Sequence, residues 1–164
     1  MAVNVVVLAD THINGSGRGR LPERAWKSLR TADVILHAGD IVSAEFLDEL
    51  RALAPVDAVL GNNDRTLVGL LPEHVELDLD GVRVAMLHDS GSRRGREQRM
   101  LARFPNADLV VFGHSHIPWN APGVGGQRLL NPGSATQRRS QPARTFGVVR
   151  IAKGVARTRI VALP

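Results

Sequence analysis

Five short apolar runs, each closed by a carboxylate, carboxamide or imidazole, constrain this chain most. Residues 3–9 end at Asp10, residues 34–36 lead into "HAGD", and residues 56–60 lead into "GNND". Residues 82–87 lead into "HD" and residues 109–112 into "GHSH". The runs are rich in β-branched residues and do not alternate with polar ones. That pattern predicts strands buried on both faces, which need a covering layer on each side.

Helical patterns fall between some of these runs. "SAEFLDELRALAP" has Ser43 as a cap, an apolar stripe at Phe46, Leu47, Leu50 and Leu53, and a stop at Pro55. "LPERAWKSLR" places Pro22 near a helix start, with Ala25, Trp26 and Leu29 on one side. "RGREQRMLARF" sets Met100, Leu101 and Phe104 behind an arginine-rich face. "TFGVVRIA" and "VARTRIVAL" predict a late hairpin turning near Lys153 and Gly154. "SRRGREQ" and "PWNAPGVGGQ" read as surface loops. The order is α/β first and mostly β afterwards. A length of 164 residues fits a single layered domain, residues 1–164, with two sheets.

The polar residues after the runs form an ordered set: Asp10 and His12, then Asp40, Asn62, His88, and His114 with His116. From Asp10 through Asp40, Asn62 and His88 to His114 the intervals are 30, 22, 26 and 26 residues. A strand-plus-helix connection is of that size. If the strands run mainly parallel, all seven residues reach the same edge of the sheet, where open α/β sheets bind ligands. Oxygen donors and imidazoles together suit manganese, iron, zinc, nickel or cobalt. Seven donors exceed what one catalytic ion takes and suit two ions sharing a carboxylate. Asp40, standing alone after Gly39, is the natural bridge. Each fragment by itself is weak, since Gly39–Asp40 and "GNND" also read as ordinary turns.

Composition narrows the chemistry. With no cysteine, thiolate metal sites and disulfides are excluded. No apolar run approaches the roughly 20 residues of a membrane span. The first strand lacks the basic flank of a signal peptide, so a cytoplasmic protein is expected. The formal charge is +5 and the basic side is nearly all arginine. Such a surface either meets a phosphate-bearing partner or is simply a solvated face.

The ordered set "DTH", "GD", "GNND", "H", "GHSH" and "NPGS" resembles the calcineurin-like metallophosphoesterases. The short length, and "LHAGD" ahead of "GNND", look most like the YfcE-like phosphodiesterase branch. The resemblance runs from Asp10 to Ser134. It implies a four-layer αββα sandwich with two mixed β-sheets. It also implies two divalent ions, with Mn²⁺ the first expectation. Asp10, His12 and His116 would hold the first ion, Asn62, His88 and His114 the second, and Asp40 both. His-x-His in an extended segment would put both rings on one side.

By the same resemblance, two ions roughly 3.5–4 Å apart would lower the pKa of a shared water and clamp the phosphoryl group. A metal-bridging hydroxide would attack phosphorus in line, with Asp40, Asn62 and His88 at the catalytic centre. Many relatives have "GNHD", whose histidine can protonate the leaving group. Here that place is Asn63, which has no proton to give. A small phosphodiester with a good leaving group is the expected substrate. A second departure is Asp89, where relatives often have glycine.

Other residues read more plainly. His37 is expected to be buried and hydrogen-bonded, His74 exposed, and Asp64 a residue that orients a neighbour. Asn131 and Gly133 are expected in a turn near the site. Arg93, Arg94, Arg96, Arg138 and Arg139 read as solvated loop residues or as contacts to substrate phosphate. Two alternatives stand beside the phosphodiesterase: a nuclease or nucleic-acid binder, and a non-catalytic scaffold on the same fold. The first lacks a binding motif, and Trp26 and Trp119 are too few for a base-stacking platform. The second sits poorly with a filled donor set.

Overall fold

The computed structural model describes residues 1–164. The apolar runs form β1 (Val3–Leu8), β2 (Val34–His37), β3 (Val56–Ala58), β5 (Val82–Leu87) and β6 (Leu109–Val111). They divide between two five-stranded mixed sheets. The first has the order β10-β9-β1-β2-β3 and the second β4-β5-β6-β8-β7. Here β4 is His74–Leu79, β7 Trp119–Pro122, β8 Arg128–Asn131, β9 Arg144–Ala152 and β10 Val155–Leu163. Each sheet contains a parallel trio, β1-β2-β3 in one and β5-β6-β8 in the other. The edge to which the polar residues converge is therefore shared by two stacked sheets rather than belonging to one.

The burial of β1 on both faces follows from its neighbours. Val6 and Leu8 pack with Ile35 against the helices α1 (Glu23–Leu29) and α2 (Ala44–Arg51), through Ala25, Leu29, Phe46, Leu47 and Leu50. Val5, Val7 and Ala9 face the other way, onto Val84, Met86, Leu109 and Val111 of the second sheet. Period-two alternation puts both sets on one strand. A third core joins Ala85, Leu87 and Val110 to Met100 of α3 (Arg96–Arg103) and to Phe104 at its C-cap. Three cores between four layers make the αββα sandwich.

Several expectations shift. The apolar stripe does not carry α2 on to Pro55. The helix ends at Arg51, and Leu53 is 36% exposed, a residue past the C-cap Ala52. Ser43 does cap α2, accepting from the Phe46 N–H at 3.3 Å. The third run forms only residues 56–58 of a strand. "PWNAPGVGGQ" is not all loop: residues 119–122 form β7, an edge strand that tolerates Pro122. β4 pairs with β5 through a tight turn at Asp80 and Gly81, both with positive φ. That Asp-Gly pair is a hairpin signal. The β9–β10 hairpin turns at Lys153 and Gly154 as expected. No helix is long and apolar enough to cross a membrane.

Candidate metal centre

All seven residues gather where the two sheets' parallel strands end. Asp10 and His12 follow β1, Asp40 follows β2, and Asn62 follows β3. His88 follows β5, while His114 and His116 follow β6. On one side, the Nε2 atoms of His12 and His116 lie 3.2 Å apart. On the other, Asn62 Oδ1 lies 2.9 Å from His88 Nε2 and 3.1 Å from His114 Nδ1. Asp40 stands between them: its Oδ2 is 3.5 Å from His12 Nε2 and 3.5 Å from His88 Nε2. Asp10 also reaches both sides, with Oδ1 3.8 Å from His116 Nε2 and 3.9 Å from His88 Nε2.

The backbone here is held in an uncommon form. Asp10, His12, Asp40, His114 and His116 all have positive φ, between 47° and 71°. Left-handed backbone at a residue other than glycine persists only where the surroundings impose it, and it clusters at functional sites. This corrects the expectation of an extended His-x-His. The two rings reach the site because each histidine turns left-handed, not because they share one face of a strand.

Ring nitrogens and carboxyl oxygens face one another across this space. His88 Nδ1 lies 2.7 Å from the Ala38 carbonyl, and His116 Nδ1 lies 2.9 Å from the Gln137 carbonyl. A carbonyl only accepts, so each Nδ1 carries a proton and each Nε2 faces inward, where it offers a lone pair once a cation displaces its proton. His88 Nε2 faces Asn62 Oδ1 and Asp40 Oδ2. Both Asp10 oxygens are buried with no hydrogen-bond partner. Burial, opposed by His88 and reinforced by Asp40, pushes the Asp10 carboxyl up to about 7. Burial also opposes ionisation of Asp40, but hydrogen bonds from His88 and Asn63 outweigh it and hold that carboxyl well below its usual range. Burial opposes charging of His88 as well, yet Asp40, the Ala38 carbonyl and Asp10 raise its pKa. Lone pairs converging on a buried carboxylate fit divalent cations. Asp10, His12 and His116 could hold one ion, as could Asp10, Asp40 and His88.

The calcineurin-like phosphoesterase superfamily domain matches the chain over residues 3–154. The chain belongs to that superfamily. This phosphoesterase is 37% identical over 132 residues to a probable metallophosphoesterase of Methanothermobacter thermautotrophicus, covering 79% of this chain and 76% of that one. It is 33% identical over 136 residues to a probable metallophosphoesterase of Methanocaldococcus jannaschii, covering 79% and 67%. Among solved structures it resembles Vps29 of Entamoeba histolytica in complex with Zn²⁺. That match has a TM-score of 0.76 at 23% identity and covers 98% of this chain and 99% of the other.

The remaining candidates separate clearly around the phosphoesterase site. His37 is fully buried and pairs with Thr11 Oγ1 at 2.9 Å. His74 is exposed on β4. Asp64 is buried and accepts the backbone N–H groups of Asp40, Val42 and Gly61. Asp89 shapes its loop by accepting the Gly91 N–H at 2.8 Å, and its Oδ2 comes within 3.9 Å of His114 Nε2. Asn131 ends β8 and donates to the Gly113 carbonyl and Ser115 Oγ, bracing the "GHSH" turn. Gly133 has a φ of +72°. Arg139 is exposed, yet its charge is felt by Asp10, His12 and His116.

Sequence reasoning missed three supports of the phosphoesterase site. A Cβ on Gly61 would stand 2.1 Å from Asp40 Oδ1, and one on Gly113 would stand 2.9 Å from Asp10 Oδ2. Both glycines are visible in "GNND" and "GHSH", but their reason is close approach across the fold, not local turning. The third is the 134–137 segment. Ser134 Oγ donates to the Asp10 carbonyl, and Thr136 Oγ1 donates to the Thr11 carbonyl. A contact spanning that much sequence leaves no local signal.

Proposed function

We propose that this phosphoesterase is a two-metal phosphodiesterase of the YfcE-like branch. Asp10, His12 and His116 would hold the first ion, Asn62, His88 and His114 the second, and Asp40 would be shared. The observation that carries this reading is Asp40 Oδ2, equally far from His12 Nε2 and His88 Nε2 at 3.5 Å. Mixed oxygen and imidazole donors suit Mn²⁺ and tolerate iron, zinc, nickel or cobalt. Two such ions supply a water of lowered pKa and positive charge opposite the phosphoryl oxygens.

The chain's own residues do the rest. The Ala38 and Gln137 carbonyls fix the tautomers of His88 and His116. Asn63 donates its backbone N–H to Asp40 Oδ1 and its amide to Oδ2, each at 2.8 Å, locking the shared carboxylate. Arg139 adds positive charge on the His12–His116 side, where it would meet a phosphoryl oxygen. Asn63 cannot protonate a departing alkoxide, so leaving groups of low pKa are favoured.

The test is elemental analysis of protein purified without chelator, then hydrolysis of bis(p-nitrophenyl) phosphate with Mn²⁺. The expected result is about two equivalents of metal per chain. Turnover should fall by about two orders of magnitude or more in Asp40→Asn. Metal-loaded protein that leaves the diester intact would overturn the reading.

A further inference from the structure

Beside the metal centre lies a group of arginines with no carboxylate partner. Arg96, the first residue of α3, is only 8% exposed. Its side chain forms no hydrogen bond and no ion pair, and its Nε is buried without a partner. Its guanidinium carbon lies 4.8 Å from the ring centre of Phe112 and 5.3 Å from that of Trp119. Arg93 lies over the same Trp119 ring at 4.9 Å. Trp119 Nε1 is itself buried with no acceptor. This corrects the reading of α3 as carrying an outward arginine face, because Arg96 is turned in.

A buried guanidinium normally meets a carboxylate. Arginine does not escape by losing its proton. Burial disfavours the Arg96 charge, and Arg99 and Arg93 add like-charge repulsion that Glu97 and Asp89 only partly offset. Arg99 cannot help, since its guanidinium donates to the Ser90, Ser92 and Arg94 carbonyls. Those bonds fold the 90–94 loop and carry Arg93 to Trp119. The result is two buried donors without partners, Arg96 Nε and Trp119 Nε1, with the exposed guanidinium of Arg93 over the same Trp119 ring. Their common complement is an oxyanion, and guanidinium groups match phosphate oxygens well.

The location links this group to the reaction. Phe112 stands two residues before His114. Trp119 faces Asn131 across β7 and β8, and Asn131 braces the "GHSH" turn. The group therefore adjoins the His88–His114 half of the metal centre.

We propose that Arg93, Arg96 and Trp119 form an oxyanion subsite that takes a second phosphate group carried by the phosphodiester substrate. The substrate half of this statement rests on the phosphodiesterase reading, whereas the binding half does not. The subsite would give the buried Arg96 side chain the partner it lacks within the chain.

Binding is tested on chelated protein, where phosphate has no metal to meet. Trp26→Phe leaves Trp119 as the sole tryptophan. Titration of that protein with inorganic pyrophosphate should give a saturable change in fluorescence. Adding Arg96→Gln should weaken the Kd at least tenfold, with Arg96→Lys between the two. If Arg96→Gln does not fold, Arg93→Gln serves instead, with a severalfold weakening expected. No saturable change, or an unaltered Kd in the variants, overturns the subsite. The substrate half is tested on metal-loaded enzyme, comparing an aryl diester that bears an additional phosphate with one that does not. Arg96→Gln should lower the kcat/KM preference for the phosphorylated diester about tenfold. An unaltered preference alongside pyrophosphate binding means a free anion is the ligand and overturns the substrate half. Loaded wild-type protein that cleaves neither diester defeats the phosphodiesterase reading while the fluorescence result still decides the subsite.

Discussion

Asp64 holds the backbone on which Asp40 stands. Its Oδ2 accepts the Asp40 N–H at 2.8 Å, and it is 1% exposed. Its oxygens also take the N–H groups of Val42 and Gly61, at 2.7 Å each. One carboxylate thus stitches the segment after β2 to the segment after β3. Asp64→Asn turns an amide donor toward at least one of those N–H groups. A stability loss of about 2–3 kcal/mol is expected, with metal affinity down about 10–100-fold. Denaturant unfolding and a metal titration check the two separately; unchanged metal affinity would show that Asp64 is structural only.

Gly61→Ala should empty the centre without unfolding the sandwich. The added Cβ would lie 2.1 Å from Asp40 Oδ1 and 2.2 Å from the Asp40 nitrogen, so the shared carboxylate has to move. Elemental analysis should find metal occupancy well below that of the parent. Far-ultraviolet circular dichroism should remain like that of the parent. Full occupancy would mean that the loop yields instead.

Asn63→His places a titratable ring where an amide now binds Asp40 Oδ2. Monoester turnover should rise relative to diester turnover, because the ring can protonate a poorer leaving group. Kinetics on a matched aryl monoester and diester read this ratio. An unmoved ratio would place position 63 away from the leaving oxygen.

His37 makes stability depend on pH in a defined direction. Burial, aided by the charge of His88, lowers its pKa from 6.5 to about 3. Below pH 6.5 the unfolded chain takes up a proton that the folded chain refuses. Stability is therefore full above that pH and falls as the pH drops toward 3. One such group contributes up to about 1.4 kcal/mol per pH unit over that window. Chelated wild type should lose stability more steeply than chelated His37→Gln; superimposed pH profiles would remove the burial argument.

The donors were legible because each follows an apolar run, and parallel strands carry such residues to one edge. Asp10, Asp40 and His88 need nothing more than that logic. Two sheets were expected, but which run belongs to which sheet was not legible, because a run buried on both faces looks the same in either. β4 was overlooked for a related reason. Its burial alternates between exposed and half-buried, and its residues include three charged or imidazole side chains in six. The left-handed backbone of His114 and His116 also left no mark, since neither residue type announces it. The inward turn of Arg96 was hidden by a helix rich in outward arginines. Only Phe112 and Trp119, distant in sequence from it, reveal which way it faces.

Because β1, β2 and β3 deliver Asp10, His12, Asp40 and Asn62 while β5 and β6 deliver His88, His114 and His116, neither sheet owns a working set of donors. A cation bound there acts as a rivet through two plates. It ties the sliding of one sheet over the other to the occupancy of the centre. Amide hydrogen exchange at the carboxyl ends of β1 and β5 should slow together when metal is added, even though those strands share no backbone hydrogen bond.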